Sequence, residues 1–431
     1  MIEGDVTNQK VSPSTTVLMG LQHLLTMCPA ALTLPVILGQ GLGLDREAIA
    51  FMVSANLLAS GIAILIQVYG IGKFAGARMP IVMGPAFAPL GPMIILGNQY
   101  GLPILFGAVI GAAIVLCLIS FFMERIMKFF PPVVVGTFVM FIGISMAPIA
   151  FANIAGGIGS TDFGAPQNIL LGLGVMCFVV FLNRYGSRFL QSISLLLGIA
   201  LGSCLSFFLG MLDVPSMKGT PLIELIEPLR FGTPRFEAVS IAIMTLFCVV
   251  NMIQSISSMA LLDNVFERDT GIHRKGRGIR GQAIAQLFSG FFGAVPSAMF
   301  TENVGIIALS KITARSTVGF TGAMLILISL FPRLSVLVTA IPKPVIGGVT
   351  LALFGTISAA GVSILSRLDY SDQSNSLILG TGLVLGVGAM FTPGVFSGLP
   401  PIAAMLAGNG LFVVCVVAVL SHIVFNMIFK R

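Results

Sequence analysis

Residues 78–92 of this chain read RMPIVMGPAFAPLGP, and residues 293–305 read GAVPSAMFTENVG. Both stretches lie within long apolar segments, yet each proline removes a backbone donor that a helix would use. We therefore predict that each stretch forms a short extended piece followed by a helix, the second helix starting near Thr301. Non-helical backbone at membrane depth is tolerated only where protein buries it or where it lines a cavity. Paired broken segments of this kind indicate the binding site of a transporter.

The composition of the whole chain is that of a protein embedded in a bilayer. Of its 431 residues, 56% are hydrophobic and 9% are charged, whereas a soluble domain carries about 25% charged residues. Runs of ~20 mostly apolar residues, the length that a spanning helix needs, recur along nearly the entire chain. The sequence predicts an all-α polytopic membrane protein with fourteen transmembrane segments.

The net charge of +7 would suit an acidic partner as well as a membrane, so the position of the basic residues decides between them. When both termini are placed in the cytoplasm, most of the 23 Lys and Arg residues fall in predicted cytoplasmic loops. Those that fall on the opposite side are Arg46, Lys218, Arg230, Arg235, Arg333 and Lys343. This bias follows the positive-inside rule. It predicts a multi-pass membrane protein with both termini in the cytoplasm and no nucleic-acid partner, and we expect its location to be a bacterial inner (plasma) membrane.

Short motifs recur on either side of the polar connection at residues 213–237. Pro132 and Pro344 are each followed by glycine at the fourth and eleventh positions after them, and segments 76–83 and 293–299 share a Gly-Ala pair followed by proline and methionine. With seven spans in each half, an odd number, the second half would enter the membrane in the opposite sense, so we predict a 7+7 inverted repeat. Single echoes can also arise by chance, because Gly and Pro are common in membrane helices.

Glu302 is the outstanding candidate for chemistry, because a carboxylate inside an apolar stretch is costly unless it is paired or protonated. The alternative is that Glu302 only bonds neighbouring amides at a helix start. Asn303 could hold the site together or bind ligand, and Gln254 could bind ligand or bond across helices. His23 could relay protons or be a packing hydrogen-bond partner. The chain carries no motif for a metal site, a cofactor or an enzyme nucleophile, so none of these is expected.

Residues 302–311, ENVGIIALSK, resemble the signature of the nucleobase-ascorbate transporter family, Q/E/P-N-x-G-x-x-x-x-T-R/K/G, with Ser310 where threonine is usual. Further matches run along nearly the whole chain in family order: GLQH at 20–23, MPIVMG at 79–84, FPPVVVG at 130–136 and IPKPVIGG at 341–348. The chain is thus similar to members of this family from its first predicted span to its twelfth.

The resemblance implies a fourteen-span fold that is often dimeric. It implies a core domain, residues 1–127 and 236–340, that holds spans 1–4 and 8–11. It also implies a gate domain, residues 128–235 and 341–431, that holds spans 5–7 and 12–14. Substrate would lie in the core between the two broken segments, and the core would move against the gate.

The resemblance also assigns roles to individual residues. Glu302 would bind an edge of a nucleobase, with Thr301 beside the ligand. The backbone at Ala86 and Phe87 would contact polar atoms of the base, while the Phe87 ring packs on its face. A planar base suits such a site, because its edge can make two parallel hydrogen bonds with one carboxylate or amide.

One position departs from the family pattern. Span 8 usually carries a glutamate followed by a Gly-Asp or Gly-His pair, whereas this chain has Gln254 followed by Ser257 and Ser258. Gln254 and Ser258 remain candidates for substrate contact, but an amide cannot take up a proton. Proton coupling would then fall on Glu302, aided by His23.

The sequence therefore favours a secondary active transporter of nucleobases, with the proton as coupling ion and the lipid bilayer as its surroundings. Uracil is slightly favoured over xanthine and other purines, because a glutamate heads the motif in uracil-type members of the family. Three alternatives stay open: a nucleobase facilitator without coupling, a sulfate or carboxylate permease of the same architecture, and a transport-inactive receptor.

Overall fold

The computed structural model describes residues 6–212, 217 and 219–428, and it is mostly helical. Lys218 and both chain ends, whose sidedness the charge pattern predicts, lie outside these residues. The first half contains α1 (Pro13–Gly41), α2 (Arg46–Tyr69), β1 (Met83–Pro85), α3 (Leu90–Tyr100), α4 (Leu102–Ile119), α5 (Met123–Ile126), α6 (Pro132–Ile154), α7 (Pro166–Tyr185), α8 (Arg188–Ser192) and α9 (Ser194–Phe208). The second half contains α10 (Ala238–Val265), α11 (Ile272–Phe292), β2 (Ser297–Met299), α12 (Thr301–Ser310), α13 (Arg315–Ser329), α14 (Pro332–Thr339), α15 (Lys343–Leu365), α16 (Gln373–Phe391), α17 (Pro401–Ala407) and α18 (Gly410–His422).

Within the described ranges, nine helices are long and apolar enough to cross a membrane. The number is up to ten if α13 and α14, which are bent by 83° at a short break, form one span. The prediction of a multi-pass helical membrane protein is confirmed. The count of fourteen spans stays a prediction, because α3 and α12 have only 11 and 10 residues, about half the length that a bilayer requires.

Both proline-containing segments form the short extended pieces that the sequence predicts. Strands β1 and β2 pair in antiparallel fashion at the centre of the molecule, with Met83 opposite Met299 and Gly84 opposite Ala298. Helix α12 begins at Thr301, directly after β2, as expected. Because the strands run in opposite directions and each leads into a half-helix, the two halves of the chain meet here as an inverted repeat.

The Pro-Gly motifs that recur in the two halves lie in α6 and α15, which pack against each other along their lengths. Small residues permit this close approach. A Cβ added at Gly143 of α6 would overlap the carbonyl oxygen of Phe354, and one added at Gly361 of α15 would overlap the backbone of Met140. Helix pairing across the repeat therefore depends on the lack of a side chain at these two glycines.

The helices pack in two groups. Helices α1, α2, α4, α10, α11 and α13 pack mainly with one another around the strand pair, whereas α6, α7, α9, α15, α16 and α18 pack mainly with one another beside it. The strand pair thus belongs to the first group, and the face that it presents to α6 and α15 is where cavities open.

Candidate functional site

Buried polar side chains hold the strand pair in place. The Met299 amide donates to Ser255 Oγ of α10 at 3.3 Å, and Gln282 Nε2 of α11 donates to the Ser297 carbonyl at 3.1 Å. Gln67 of α2 makes one hydrogen bond to α11 and accepts one from the segment before β1. The bonds to Met299, Ser297 and Ala77 satisfy backbone groups that lie outside the helices, which is what irregular backbone at membrane depth requires.

A small cavity of about 30 Å³, here called the inner cavity, lies beside the strand pair. Its lining comes from both broken segments and from α1, α9, α10 and α15: Thr26, Ala30, Pro85, Ala86, Phe87, Leu195, Gln254, Ala298, Phe300, Glu302, Leu353 and Ile357. Four of the predicted site residues are therefore brought together here, namely Ala86, Phe87, Gln254 and Glu302. Since one water needs roughly 10–15 Å³ measured in this way, the inner cavity alone is too small for a nucleobase.

A second cavity of about 530 Å³, here called the vestibule, lies between α10 and α12 on one side and α6 and α15 on the other. Thr301, Glu302 and Gln254 line it, together with apolar side chains such as Val135 and Ile364. This volume falls within the roughly 300–1,000 Å³ of small-molecule sites. Because Gln254 and Glu302 line both cavities, a planar ligand entering through the vestibule meets these two side chains where the inner cavity begins.

Glu302 lies in the first turn of α12, where the helix leaves the strand pair. Its side chain is exposed to the cavities, although the sequence places it inside an apolar stretch. Neither the Glu302 carboxylate nor the Gln254 amide forms a hydrogen bond with another side chain in the described part of the protein. A carboxylate that accepts and an amide that both donates and accepts can match the mixed edge of a nucleobase.

The turn after β1 provides an aromatic wall. The Phe87 ring meets Phe354 of α15 edge-on, with 5.5 Å between ring centroids. The Ala86 amide donates to the Pro296 carbonyl at 2.8 Å, so strand pairing already uses this donor. The Phe87 amide makes no hydrogen bond to any residue that the structure describes. Of the two backbone donors expected to face a base, that of Phe87 is available and that of Ala86 is not.

Ser258 lies behind the cavity wall and does not line either cavity. Its hydroxyl donates to the Gln254 carbonyl at 3.1 Å and shares a hydrogen bond with Thr301 Oγ1 at 2.9 Å. Ser258 is 2% exposed. It ties the start of α12 to α10, and so it positions both Thr301 and the backbone that carries Gln254.

Asn303 and His23 form a buried pair away from both cavities. Asn303 Nδ2 lies 3.1 Å from His23 Nδ1 and donates to the His23 carbonyl at 3.0 Å. Each residue is 1% exposed. The pair joins α12 to α1. Of the two roles that the sequence allows for Asn303, this contact matches holding the site together and not binding ligand. The proton-relay role of His23 stays a prediction.

Replacing Asn303 with alanine is expected to lower stability without changing apparent substrate affinity. The change leaves the buried Nδ1 of His23 without this partner and removes a second hydrogen bond to the His23 carbonyl, which costs about 1–3 kcal/mol. Thermal unfolding in detergent would show the loss of stability, and uptake per folded transporter would report the affinity. A raised apparent KM with an unchanged unfolding temperature would instead place Asn303 in contact with substrate.

Several lining residues carry no signal in the sequence. Thr26, Leu195, Leu353 and Ile357 come from α1, α9 and α15, spans that are distant in the chain and reach the site only through helix packing. Phe300 could have been found, because it directly precedes Thr301 in a segment predicted to line the site. Its ring lies against Gly84, where a Cβ would come within 2.6 Å of the ring.

Comparison with known proteins gives consistent results for sequence and fold. Residues 14–395 match the sequence profile of a group described as "Permease family". The chain is 35% identical over 415 residues to the xanthine permease of Bacillus subtilis (strain 168), covering 96% of this chain and 94% of the relative. It is also 35% identical over 409 residues to the uric acid permease PucK of the same organism, covering 95% of each.

Among solved structures, murine Solute Carrier 26 family member A9, described as an anion transporter in the inward-facing state, has a similar fold. The TM-score is 0.65 at 13% identity, covering 98% of this chain and 70% of that chain. At this identity the likeness concerns the fold alone. It agrees with the inverted repeat that the strand pair and the α6–α15 pair indicate.

Proposed function

This chain belongs to the nucleobase-ascorbate transporter family of permeases, and from that premise we propose that it carries a nucleobase across the plasma membrane by secondary active transport. The observation that carries the proposal is the position of Glu302 and Gln254. Both line the inner cavity and the vestibule, and both keep their polar groups free of other side chains among the described residues. Glu302 and Gln254 would hold the polar edge of the base, while Phe87 packs against its ring.

We propose a purine as the substrate. The relatives at 35% identity are named for xanthine and uric acid, purines whose edges alternate N–H donors with carbonyl acceptors. Gln254 can serve both kinds of group, and the Glu302 carboxylate can accept two N–H bonds. The preference for uracil that the motif suggests is a separate prediction, and one uptake assay with all three bases tests both.

The proposed mechanism has the strand-pair group of helices as the core domain, residues 1–127 and 236–340, and the other group as the gate domain, residues 128–235 and 341–431. The vestibule lies along their boundary, and its lining includes Met127, Arg367 and Leu368. The charge pattern puts these residues on the cytoplasmic side, so we assign the structure to an inward-open state. Movement of the core against the gate would close the vestibule and open the opposite side.

The proposal includes a homodimer, because members of this family are often dimeric.

Proton coupling is assigned to Glu302. Among the described residues that line the two cavities, Glu302 and Arg367 are the ionisable ones, and arginine keeps its proton at any physiological pH. Gln254 cannot titrate, so a proton carried with the base has Glu302 as its acceptor next to the substrate. Protonation would also turn one carboxylate oxygen into a donor and change which edge of the base fits.

The proton gradient is expected to drive accumulation of xanthine in proteoliposomes. Radiolabelled xanthine, uric acid and uracil would be offered separately, with an inward proton gradient and with the gradient collapsed by an ionophore. Accumulation above the external concentration only with the gradient would support symport through Glu302. Saturable equilibration that ignores the gradient would identify a facilitator, and binding without entry into the vesicles would identify a receptor.

The sulfate or carboxylate permease is the weaker alternative. The free amides at the start of α12 could attract an anion, and the similar solved structure is described as an anion transporter. However, the Glu302 carboxylate opens into the cavities at that helix start, and sulfate or a carboxylate has no N–H group to donate to it and so would only be repelled. Saturable sulfate uptake by the purified protein, competed by neither purine nor uracil, would favour this alternative.

A further inference from the structure

A third cavity, of about 460 Å³, lies apart from the inner cavity and the vestibule. One wall is the first turns of α11, and the other is the connection that leads from α4 through α5 toward α6, here called the linker (residues 120–129). The lining is Ser120, Phe121, Phe122, Met123, Glu124, Arg125, Ile272, His273, Gly276, Arg277 and Arg280. In the proposed orientation this cavity faces the cytoplasmic leaflet, and it touches the connection between core and gate.

Arg277 lies in this cavity with part of its charge unpartnered. Its Nε and Nη2 atoms are buried and have no hydrogen-bond partner among the described residues. The positive charges of Arg78, Arg274 and Arg280 also act on it. A guanidinium does not lose its proton in proteins, and a buried charge is costly unless a partner compensates it. The side chain is therefore positioned to bind an anion.

The acidic groups near Arg277 do not neutralise its charge. Asp263 and Asp269 both pair with Lys275, at 2.7 and 3.1 Å. Arg280 donates to the Phe74 carbonyl at 2.6 Å, which satisfies a donor but does not neutralise the charge. Glu124 is the acid in the cavity lining, and it is exposed and forms no hydrogen bond with the buried Nε or Nη2 of Arg277. The cavity thus keeps an excess of positive charge.

Exposed aromatic rings adjoin the basic residues. Phe121 and Phe122 are 56% and 57% exposed. The Arg280 guanidinium lies 4.8 Å from the centre of the Phe121 ring, which orients it at the edge of the cavity. A site that combines fixed guanidinium groups with exposed apolar rings matches a molecule that joins a phosphate to hydrocarbon.

We propose that this cavity binds the phosphate group of an anionic phospholipid. Arg277 would make the main contact with the phosphate, and Arg280 would lie beside it. Arginine can hold phosphate oxygens by two parallel N–H bonds, and basic pockets between helices on this side of a membrane can bind lipid headgroups. The acyl chains would lie against Phe121 and Phe122. A bound headgroup would join α11 to the linker, and so it would stabilise the connection between the two helix groups.

The test measures lipid binding by the full-length protein in a neutral detergent. Phosphatidylglycerol, phosphatidylcholine and inorganic phosphate would be added separately to wild type, Arg277→Gln and Arg188→Gln. The control, Arg188, is an exposed arginine on the same predicted side of the membrane, at the start of α8. We expect phosphatidylglycerol to raise the unfolding temperature of wild type and of Arg188→Gln but not that of Arg277→Gln, and native mass spectrometry to show the same pattern in bound lipid.

Other results would overturn the proposal in identifiable ways. An equal rise with inorganic phosphate would show that the site takes free phosphate, and an equal rise with phosphatidylcholine would exclude recognition of negative charge. Retained binding of phosphatidylglycerol by Arg277→Gln would remove Arg277 from the site. If Arg277→Gln is not recovered folded, Arg277→Lys is the second variant, because lysine keeps the charge but cannot make two parallel N–H bonds. We expect Arg277→Lys to bind the lipid about tenfold more weakly than wild type. Unchanged binding would contradict the assigned role of Arg277.

Discussion

Replacing Glu302 with glutamine is expected to abolish gradient-driven accumulation of nucleobase. The substitution keeps the size of the side chain but removes its negative charge and its capacity to take up a proton. Hydrogen bonds to a charged group contribute about 1.5–3 kcal/mol each, so the loss of even one should weaken substrate binding about 10- to 100-fold. Uptake into proteoliposomes with and without a proton gradient measures both effects.

The matched control is Glu267→Gln, the same chemical change at an exposed carboxylate after α10 that lines neither cavity. It should leave uptake and its dependence on the gradient unchanged. Binding of labelled base by Glu302→Gln separates the two roles of the residue, because a variant that binds but cannot accumulate substrate has lost coupling alone. Wild-type accumulation by Glu302→Gln would remove this residue from both the substrate site and the proton path.

Replacing Gly143 with alanine is expected to destabilise the protein by about 2–3 kcal/mol or to prevent its folding. The added Cβ would overlap the Phe354 carbonyl oxygen, which belongs to the backbone of α15 and cannot move aside as a side chain could. Overpacking of this kind costs about 1–3 kcal/mol even in cores that can adjust. Thermal unfolding in detergent and the yield of monodisperse protein measure the effect.

Gly355 is the matched control, because it holds the same place after Pro344 that Gly143 holds after Pro132. A Cβ at Gly355 would meet no atom of the described residues within 4 Å. Alanine there should be neutral or stabilise by up to about 1 kcal/mol, since glycine is the weaker helix former. Equal losses at the two positions would mean that the α6–α15 packing differs from the structure described above.

The site was partly predictable because some of its features depend on neighbours in the chain. The prolines of segments 78–92 and 293–305 interrupt a helix whatever its neighbours are. The order of residues therefore predicted both extended pieces and the start of α12. The cost of a carboxylate in an apolar segment likewise depends on composition, and it singled out Glu302. Gln254 stood out as a polar residue in an apolar span, and the family resemblance indicated Phe87; both line the inner cavity.

The direction in which each side chain points could not be predicted in the same way, because it depends on packing between helices that are far apart in the chain. Asn303 follows Glu302 directly, yet it points toward α1 and bonds His23, while Glu302 opens into the cavities. Ser258 lies one turn from Gln254 and is buried behind the cavity wall.

The amino-acid order alone thus predicted a multi-pass membrane protein, an inverted repeat with two broken segments and a carboxylate at the second of them. These properties follow from transfer free energies and backbone chemistry, which act over a few neighbouring residues. The folded structure was needed to show that Gly143 is crowded while Gly355 is not, and that Arg277 keeps buried donors without a partner among the residues that the structure describes. Crowding and pairing are set by the close packing of helices brought together from both halves, and no local pattern records which side chains will meet there.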